Sequence, residues 1–209
     1  MKKIRYGLFF GDSITYGEYD GVFGGWVDLL KRYALQKFHE GNGDELILFN
    51  LGIGGETTEE LLKRMPHELK ARNSADGNII FIGYGANDLA VKDSQQIVSR
   101  EDFRRNIQTA VQHAREFSSE IYLVSILPFA EKVNGIVVPS GKMRTNEDVI
   151  IYNRILQDIA GKEALKYIDF YAAFVDDKEI LLSADGVHPN EKGYGIMAET
   201  ARPIIEKYL

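Results

Sequence analysis

Residues 4–15 read Ile4-Arg5-Tyr6-Gly7-Leu8-Phe9-Phe10-Gly11-Asp12-Ser13-Ile14-Thr15. The run is apolar enough for a buried strand, and it stops abruptly at a glycine, a carboxylate and a hydroxyl. Strands of this kind belong to parallel sheets covered on both faces. In an open α/β sheet, ligands bind just beyond the carboxyl ends of the strands. Position alone therefore makes Ser13 a candidate nucleophile. A serine that only opens a loop or caps a helix carries the same local signature, so the rest of the chain has to decide.

The pattern of the first strand recurs. Short apolar runs alternate with stretches of helical period, as βαβ units do. Strands are expected at 4–10, 46–50, 78–84, 120–127 and 166–170, giving a five-stranded parallel α/β sheet between two helical layers. Trp26, Leu30, Tyr33, Ala34 and Phe38 form one buried helical stripe, with Asp28, Lys31, Lys37 and Glu40 on the other face. Thr57 and Glu60 make a capping box that opens the second helix, and Pro66 is expected to break or kink it. A third helix is expected over 103–117, with Ile107, Val111 and Ala114 inward, and a fourth over 148–159. The last begins near Asn190 and runs to the terminus, with an interruption expected at Pro203.

One connection, 128–146, is long. Within it, Asn134-Gly135 lies between β-forming residues, which predicts a hairpin turn. Loops longer than about 15 residues inside a compact domain are usually functional. Phe129, Val133, Ile136, Met143 and Arg144 are therefore candidate substrate contacts, the competing expectation being a subunit interface. No repeat, linker or low-complexity tract divides the chain, and 1–209 is expected to be a single domain.

The 209 residues contain no cysteine, which excludes disulfides, thiolate metal sites and a cysteine nucleophile. A net charge of −6 with no basic cluster argues against a nucleic-acid partner and does not suggest binding to an anionic membrane. No apolar run approaches a membrane span, and no small-residue cleavage site follows Met1-Lys2-Lys3-Ile4-Arg5. A cytoplasmic location is expected.

A serine hydroxyl needs a base, usually a histidine oriented by a carboxylate. Of four histidines, His39, His67 and His113 fall in or near helices. His188 lies in Ser183-Ala184-Asp185-Gly186-Val187-His188-Pro189, where the proline disfavours helix and holds it in a loop. Asp185, three residues earlier, can reach the imidazole Nδ1 in a tight turn. A loop aspartate and histidine that only cap the final helix are the competing interpretation. Acyl transfer also needs oxyanion donors. Asn50-Leu51-Gly52-Ile53-Gly54-Gly55-Glu56-Thr57 and Gly83-Tyr84-Gly85-Ala86-Asn87-Asp88 follow the second and third strands and offer backbone amides and an asparagine. Tight turns and helix caps would use the same residues.

Taken in order, Gly-Asp-Ser, Gly-Glu-Thr, Gly-Ala-Asn-Asp and Asp-Gly-Val-His resemble the four blocks of the SGNH hydrolase superfamily, which contains the GDSL esterases and lipases. The likeness spans Gly11 to Pro189, with Ile14 where the family name has leucine. It implies a three-layer α/β/α sandwich with flavodoxin-like strand order 2-1-3-4-5. It implies Ser13 as nucleophile, His188 and Asp185 as its partners, and Ser13, Gly55 and Asn87 as oxyanion donors. The activity implied is a serine ester hydrolase for small acyl or acetyl esters, acting through an acyl-enzyme. An acyltransferase or a noncatalytic ligand-binding domain on the same scaffold is the alternative. A glycosidase built on Asp12 and Asp88 would leave His188 idle, and Asp12 is expected to brace its loop. No cofactor or metal is called for. The expected partner is a small-molecule ester, without nucleic acid or stable membrane association, and the oligomeric state is left open.

Overall fold

A computed structural model describes residues 2–41 and 43–209. In chain order the elements are β1 (Ile4–Gly11), α1 (Ser13–Tyr16), α2 (Gly25–His39), β2 (Glu45–Gly52), α3 (Thr58–Ala71) and β3 (Asn78–Gly83). A ribbon of β4 (Val91–Lys92) and β5 (Gln95–Gln96) precedes α4 (Arg100–Arg115), β6 (Glu120–Val124) and α5 (Asn146–Lys162). The chain ends with β7 (Lys166–Ile168), α6 (Phe170–Phe174), α7 (Lys178–Leu181), α8 (Glu191–Ile205) and a 3₁₀ turn, Glu206–Tyr208. The main sheet is parallel, in the order β2-β1-β3-β6-β7. With the small ribbon set aside, this is the expected 2-1-3-4-5. Helices α2 and α8 pack together on one side of the sheet, and α3, α4 and α5 pack in series as the other layer.

Burial explains the apolar strands. Leu8, Phe9 and Phe10 in β1, and Ile79 to Ile82 in β3, are all buried. Because the register pairs Phe9 with Phe81 and Phe81 with Tyr122, their rings stack across three strands at centroid distances of 4.1 and 4.9 Å. Trp26 of α2 meets Phe9 edge-on at 5.2 Å and closes that layer. The same register aligns Gly52, Gly11 and Gly83 in one row at the carboxyl ends of β2, β1 and β3. A Cβ at Gly11 would lie 1.9 Å from Thr15 Oγ1 and 2.9 Å from the Gly83 carbonyl, so only glycine fits there.

Four expectations are corrected. Helix α3 runs unbroken through Pro66, because its capping box secures the start and Leu61, Met65 and Leu69 are buried on both sides of the proline. Pro203 likewise sits inside α8, near its end, flanked by the buried Ala201 and Ile205. The strands expected to reach 127 and 170 end earlier. Asn153 takes the backbone N–H and carbonyl of Ile126 at 2.8 and 2.9 Å, and Asp169 caps α6 by accepting from the Ala172 amide at 3.0 Å. The hairpin does not turn at Asn134-Gly135. Residues 130–134 wind into turns, with the Asn134 amide donating to the Ala130 carbonyl at 3.2 Å. The turn lies at 138–141, where Val137 bridges Met143 and the Val138 amide donates to the Lys142 carbonyl at 3.0 Å.

The connection is tied down along its length. Asn146 holds Phe129 as Asn153 holds Ile126, accepting from its amide at 2.8 Å and donating to its carbonyl at 2.9 Å. Gly135 donates to the Arg144 carbonyl at 2.8 Å, and Met143 pairs with Val91 in both directions. No helix among the described residues is long and apolar enough to cross a membrane.

Candidate active site

The row of glycines releases three segments at one edge of the sheet. From β1, Asp12 caps α1 by accepting from the Ile14 amide at 2.9 Å, which places Ser13 at the first helical position. Its amide is one of the N–H groups a helix leaves unused at its start. From β2 comes the turn carrying Gly55, whose φ of 78° is left-handed and suits glycine. From β3 comes Asn87, 5% exposed, donating through Nδ2 to the Glu56 carbonyl at 3.1 Å.

His188 arrives from the opposite end of the chain. Leu182 bridges Pro189, the Ser183 amide donates to the His188 carbonyl at 2.7 Å, and Gly186 turns with φ of 73°. Within that turn Asp185 Oδ1 accepts from Ser183 Oγ at 2.7 Å and from the amides of Val187 and His188 at 2.9 and 3.0 Å. Its Oδ2 lies 2.5 Å from His188 Nδ1, and His188 Nε2 lies 2.8 Å from Ser13 Oγ. A carboxylate at Nδ1 fixes the neutral tautomer with its proton there, leaving the Nε2 lone pair toward the hydroxyl. Burial pushes the Asp185 carboxyl up, but the hydrogen bonds from His188, Val187 and Ser183 outweigh it and hold the group well below the usual carboxylate range. Asp185 is thus anionic beside the imidazole.

The 128–146 connection buttresses this loop. The Ala130 amide donates to the Gly186 carbonyl at 3.0 Å and Lys132 Nζ to the Ala184 carbonyl at 2.7 Å. Together they enclose a cleft of about 740 Å³ with Ser13, Gly55, Asn87, Asp185 and His188 on its lining. Of the five candidate contacts from the connection, Val133 and Arg144 line it. Phe129 does not: it is buried beneath Arg144, whose guanidinium lies 5.8 Å from the ring centre. Ile136 is exposed and does not line the cleft, and Met143 is engaged with Val91 and Val137.

The cleft also takes residues the sequence did not announce. Tyr19 lies with its ring 5.0 Å from that of His188, at a φ of 70° that no pattern marks. Val138, Pro139, Ser140 and Lys142 line the far wall. The Pro139-Ser140-Gly141 turn signature and the alternation of Lys142 with Arg144 along an extended segment were signals for that wall. Behind Gly55, Glu56 is gripped by Arg64 through Nε at 2.8 Å and Nη2 at 2.7 Å, and by the Tyr84 hydroxyl at 2.5 Å. Asp88 accepts from the Thr58 amide and hydroxyl at 2.9 and 2.5 Å. Burial pushes Asp88 up to about 7 and Asp12 up to about 6, and the oxygens of each that accept hydrogen bonds are engaged within their own loops, Asp12 Oδ1 with the Ile14 amide and Asp88 Oδ1 with Thr58.

The sequence and the fold have named counterparts. The chain is 27% identical over 207 residues to the spore germination lipase LipC of Bacillus licheniformis, covering 92% of each protein. It is 29% identical over 211 residues to the isoamyl acetate-hydrolyzing esterase of Saccharomyces cerevisiae, covering 96% of this chain and 86% of the yeast protein. Among solved structures it superposes on a lipase/acylhydrolase from Enterococcus faecalis with a TM-score of 0.75 and 26% identity, over 99% of this chain and 96% of that one. The profile of the GDSL-like Lipase/Acylhydrolase family matches residues 9–196, and the chain belongs to that family.

Proposed function

We propose that the protein hydrolyses small acyl esters, acetyl esters among them, through Ser13, His188 and Asp185. The observation that carries this reading is the unbroken relay from Ser13 Oγ to His188 Nε2 at 2.8 Å and from His188 Nδ1 to Asp185 at 2.5 Å, on the lining of a cleft. His188 takes the hydroxyl proton as Oγ attacks the acyl carbonyl. The negative charge that moves to the carbonyl oxygen is met by the amides of Ser13 and Gly55 and by Asn87 Nδ2. The imidazolium, steadied by Asp185, protonates the departing alcohol as the tetrahedral intermediate collapses to an acyl-serine. Water repeats the sequence with the roles of nucleophile and leaving group reversed, releasing the acid and restoring Ser13.

Acetyl esters are supported by the name of the yeast relative, which acts on isoamyl acetate. The test is turnover of p-nitrophenyl acetate by the wild type and by Ser13→Ala. The variant is expected to lose hydrolysis with its fold intact, and retained turnover would sink the reading. Labelling of Ser13 by a fluorophosphonate separates a nucleophile from a ligand-binding domain, and product analysis with added alcohol separates hydrolysis from acyl transfer.

A further inference from the structure

The side chain of Asn87 is held by two cations. Its Oδ1 accepts from Lys142 Nζ at 3.2 Å and from Arg144 Nη2 at 3.2 Å, while Arg144 Nε donates to the neighbouring Ala86 carbonyl at 2.7 Å. On the other side, Nδ2 donates to the Glu56 carbonyl at 3.1 Å. Neither cation is ion-paired with a carboxylate among the described residues. Two partly buried cations converging on one neutral amide oxygen need a reason, because a carboxylate would compensate their desolvation better.

The reason lies in the amide's two faces. An asparagine presents a donor at one end and an acceptor at the other, and a half-turn about its last bond exchanges them. Flipped, Asn87 would aim its NH₂ group at the two cations and its oxygen at the Glu56 carbonyl. It would also offer a lone pair to the cleft where a donor is required. Lys142 and Arg144 make that arrangement repulsive. Charge-assisted hydrogen bonds to Oδ1 also polarise the amide and strengthen its remaining N–H as a donor.

We infer that Lys142 and Arg144 are positioning residues that lock Asn87 with Nδ2 toward the oxyanion, so that the long connection completes the oxyanion site as well as walling the cleft. The inference rests on the ester-hydrolase reading and deepens it. Both residues leave an extended segment at alternate positions, which puts them on one side of it. Arg144 is seated on Phe129, and the strand partner Val91 fixes the segment through Met143.

The experiment is steady-state hydrolysis of p-nitrophenyl acetate by Lys142→Met, Lys142→Arg, Arg144→Met and Asn87→Ala, alone and combined. Asn87→Ala is expected to lower kcat by about 10² to 10³. Lys142→Met and Arg144→Met are each expected to lower kcat about tenfold with KM within about twofold, and Lys142→Arg to restore most of it. In the Asn87→Ala background the two methionine substitutions should change kcat less than about twofold, because the group they act through is gone. An undiminished tenfold loss in that background overturns the inference. So does a rise in KM confined to an ester bearing a free carboxylate, such as mono-p-nitrophenyl succinate, which would make the cations a substrate-anion site. If Arg144→Met does not fold, the Lys142 comparisons decide alone. A loss in Asn87→Ala without one in Lys142→Met overturns the positioning role only; undiminished kcat in Asn87→Ala overturns the oxyanion reading with it.

Discussion

Asp185 grips His188 at two points, through Oδ2 at 2.5 Å from the ring Nδ1 and through Oδ1 at 3.0 Å from the backbone amide. The two holds separate on substitution. Asp185→Asn keeps an oxygen for the amides of Val187 and His188 but places an NH₂ group against Nδ1. The neutral imidazole must then carry its proton on Nε2, facing Ser13, and cannot accept another. We expect kcat for p-nitrophenyl acetate to fall by about 10³ to 10⁴ while circular dichroism is unchanged. The Asp185 carboxyl is held below its ordinary 3.8, so its contribution to stability is present above that pH and is lost as pH falls below it. Melting temperatures of wild type and variant should accordingly converge in acid.

Asp88 behaves oppositely. It is fully buried, its Oδ1 accepts two hydrogen bonds from Thr58, its Oδ2 has no hydrogen-bond partner among the described residues, and burial raises it to about 7. The native state therefore holds a proton that the unfolded state gives up near 3.8, and stability declines as pH rises from there to about 7. Asp12, raised to about 6 by the same cause, adds to the decline. Asp88→Asn retains the acceptor for Thr58 and carries no charge. Thermal melts at pH 5 and 8 should show a smaller drop in the variant, with a gain at pH 8 of up to about 4 kcal/mol. Equal pH slopes in both proteins would exclude this account.

Asn153 satisfies both backbone groups of Ile126, a residue only 4% exposed. Asn153→Ala leaves a buried N–H and carbonyl unpaired at the point where β6 gives way to the connection. We expect a loss of about 2 to 4 kcal/mol in urea unfolding, together with reduced turnover, since the connection carries Arg144 and supports the His188 loop.

Tyr19 holds a left-handed φ of 70° and lays its ring 5.0 Å from that of His188. Asparagine tolerates this backbone better than other non-glycine residues. Tyr19→Asn should keep the melting temperature within a few degrees while removing one wall of the cleft. KM for p-nitrophenyl acetate is expected to rise about threefold to tenfold, with kcat little changed; a collapse of kcat would instead place the ring in the chemistry.

Strands β1, β3 and β6 were legible because a parallel strand buried on both faces must be apolar along its buried length, as Ile79 to Ile82 are, and the edge strand β2 because its apolar residues 46–49 stand out between polar ends. The first three blocks were legible because each follows the end of a strand, and the fourth because Pro189 keeps His188 out of helix in the loop that links α7 to α8. Three kinds of feature were not. Helix α3 overrides Pro66 through packing against α4 and β1 that no local rule includes. The Asn134-Gly135 turn loses to side-chain bonds that Asn134 makes with Asn146 and Glu131, neither of which a two-residue turn rule includes. The cleft wall depends on which side chains of the connection face inward, and that is decided by the pairing of Met143 with Val91, far away in sequence.

The bracing of the connection has a further consequence. Its base is fastened to α5 by Asn146 and Asn153, its start to the His188 loop, and its return strand to Val91, whereas the tip at 138–141 makes its backbone hydrogen bonds within the connection itself. That tip faces the cleft. A change of three or four residues there is expected to alter what the cleft admits while the relay and its supports stay in place, so that the choice of guest would be a separately exchangeable part.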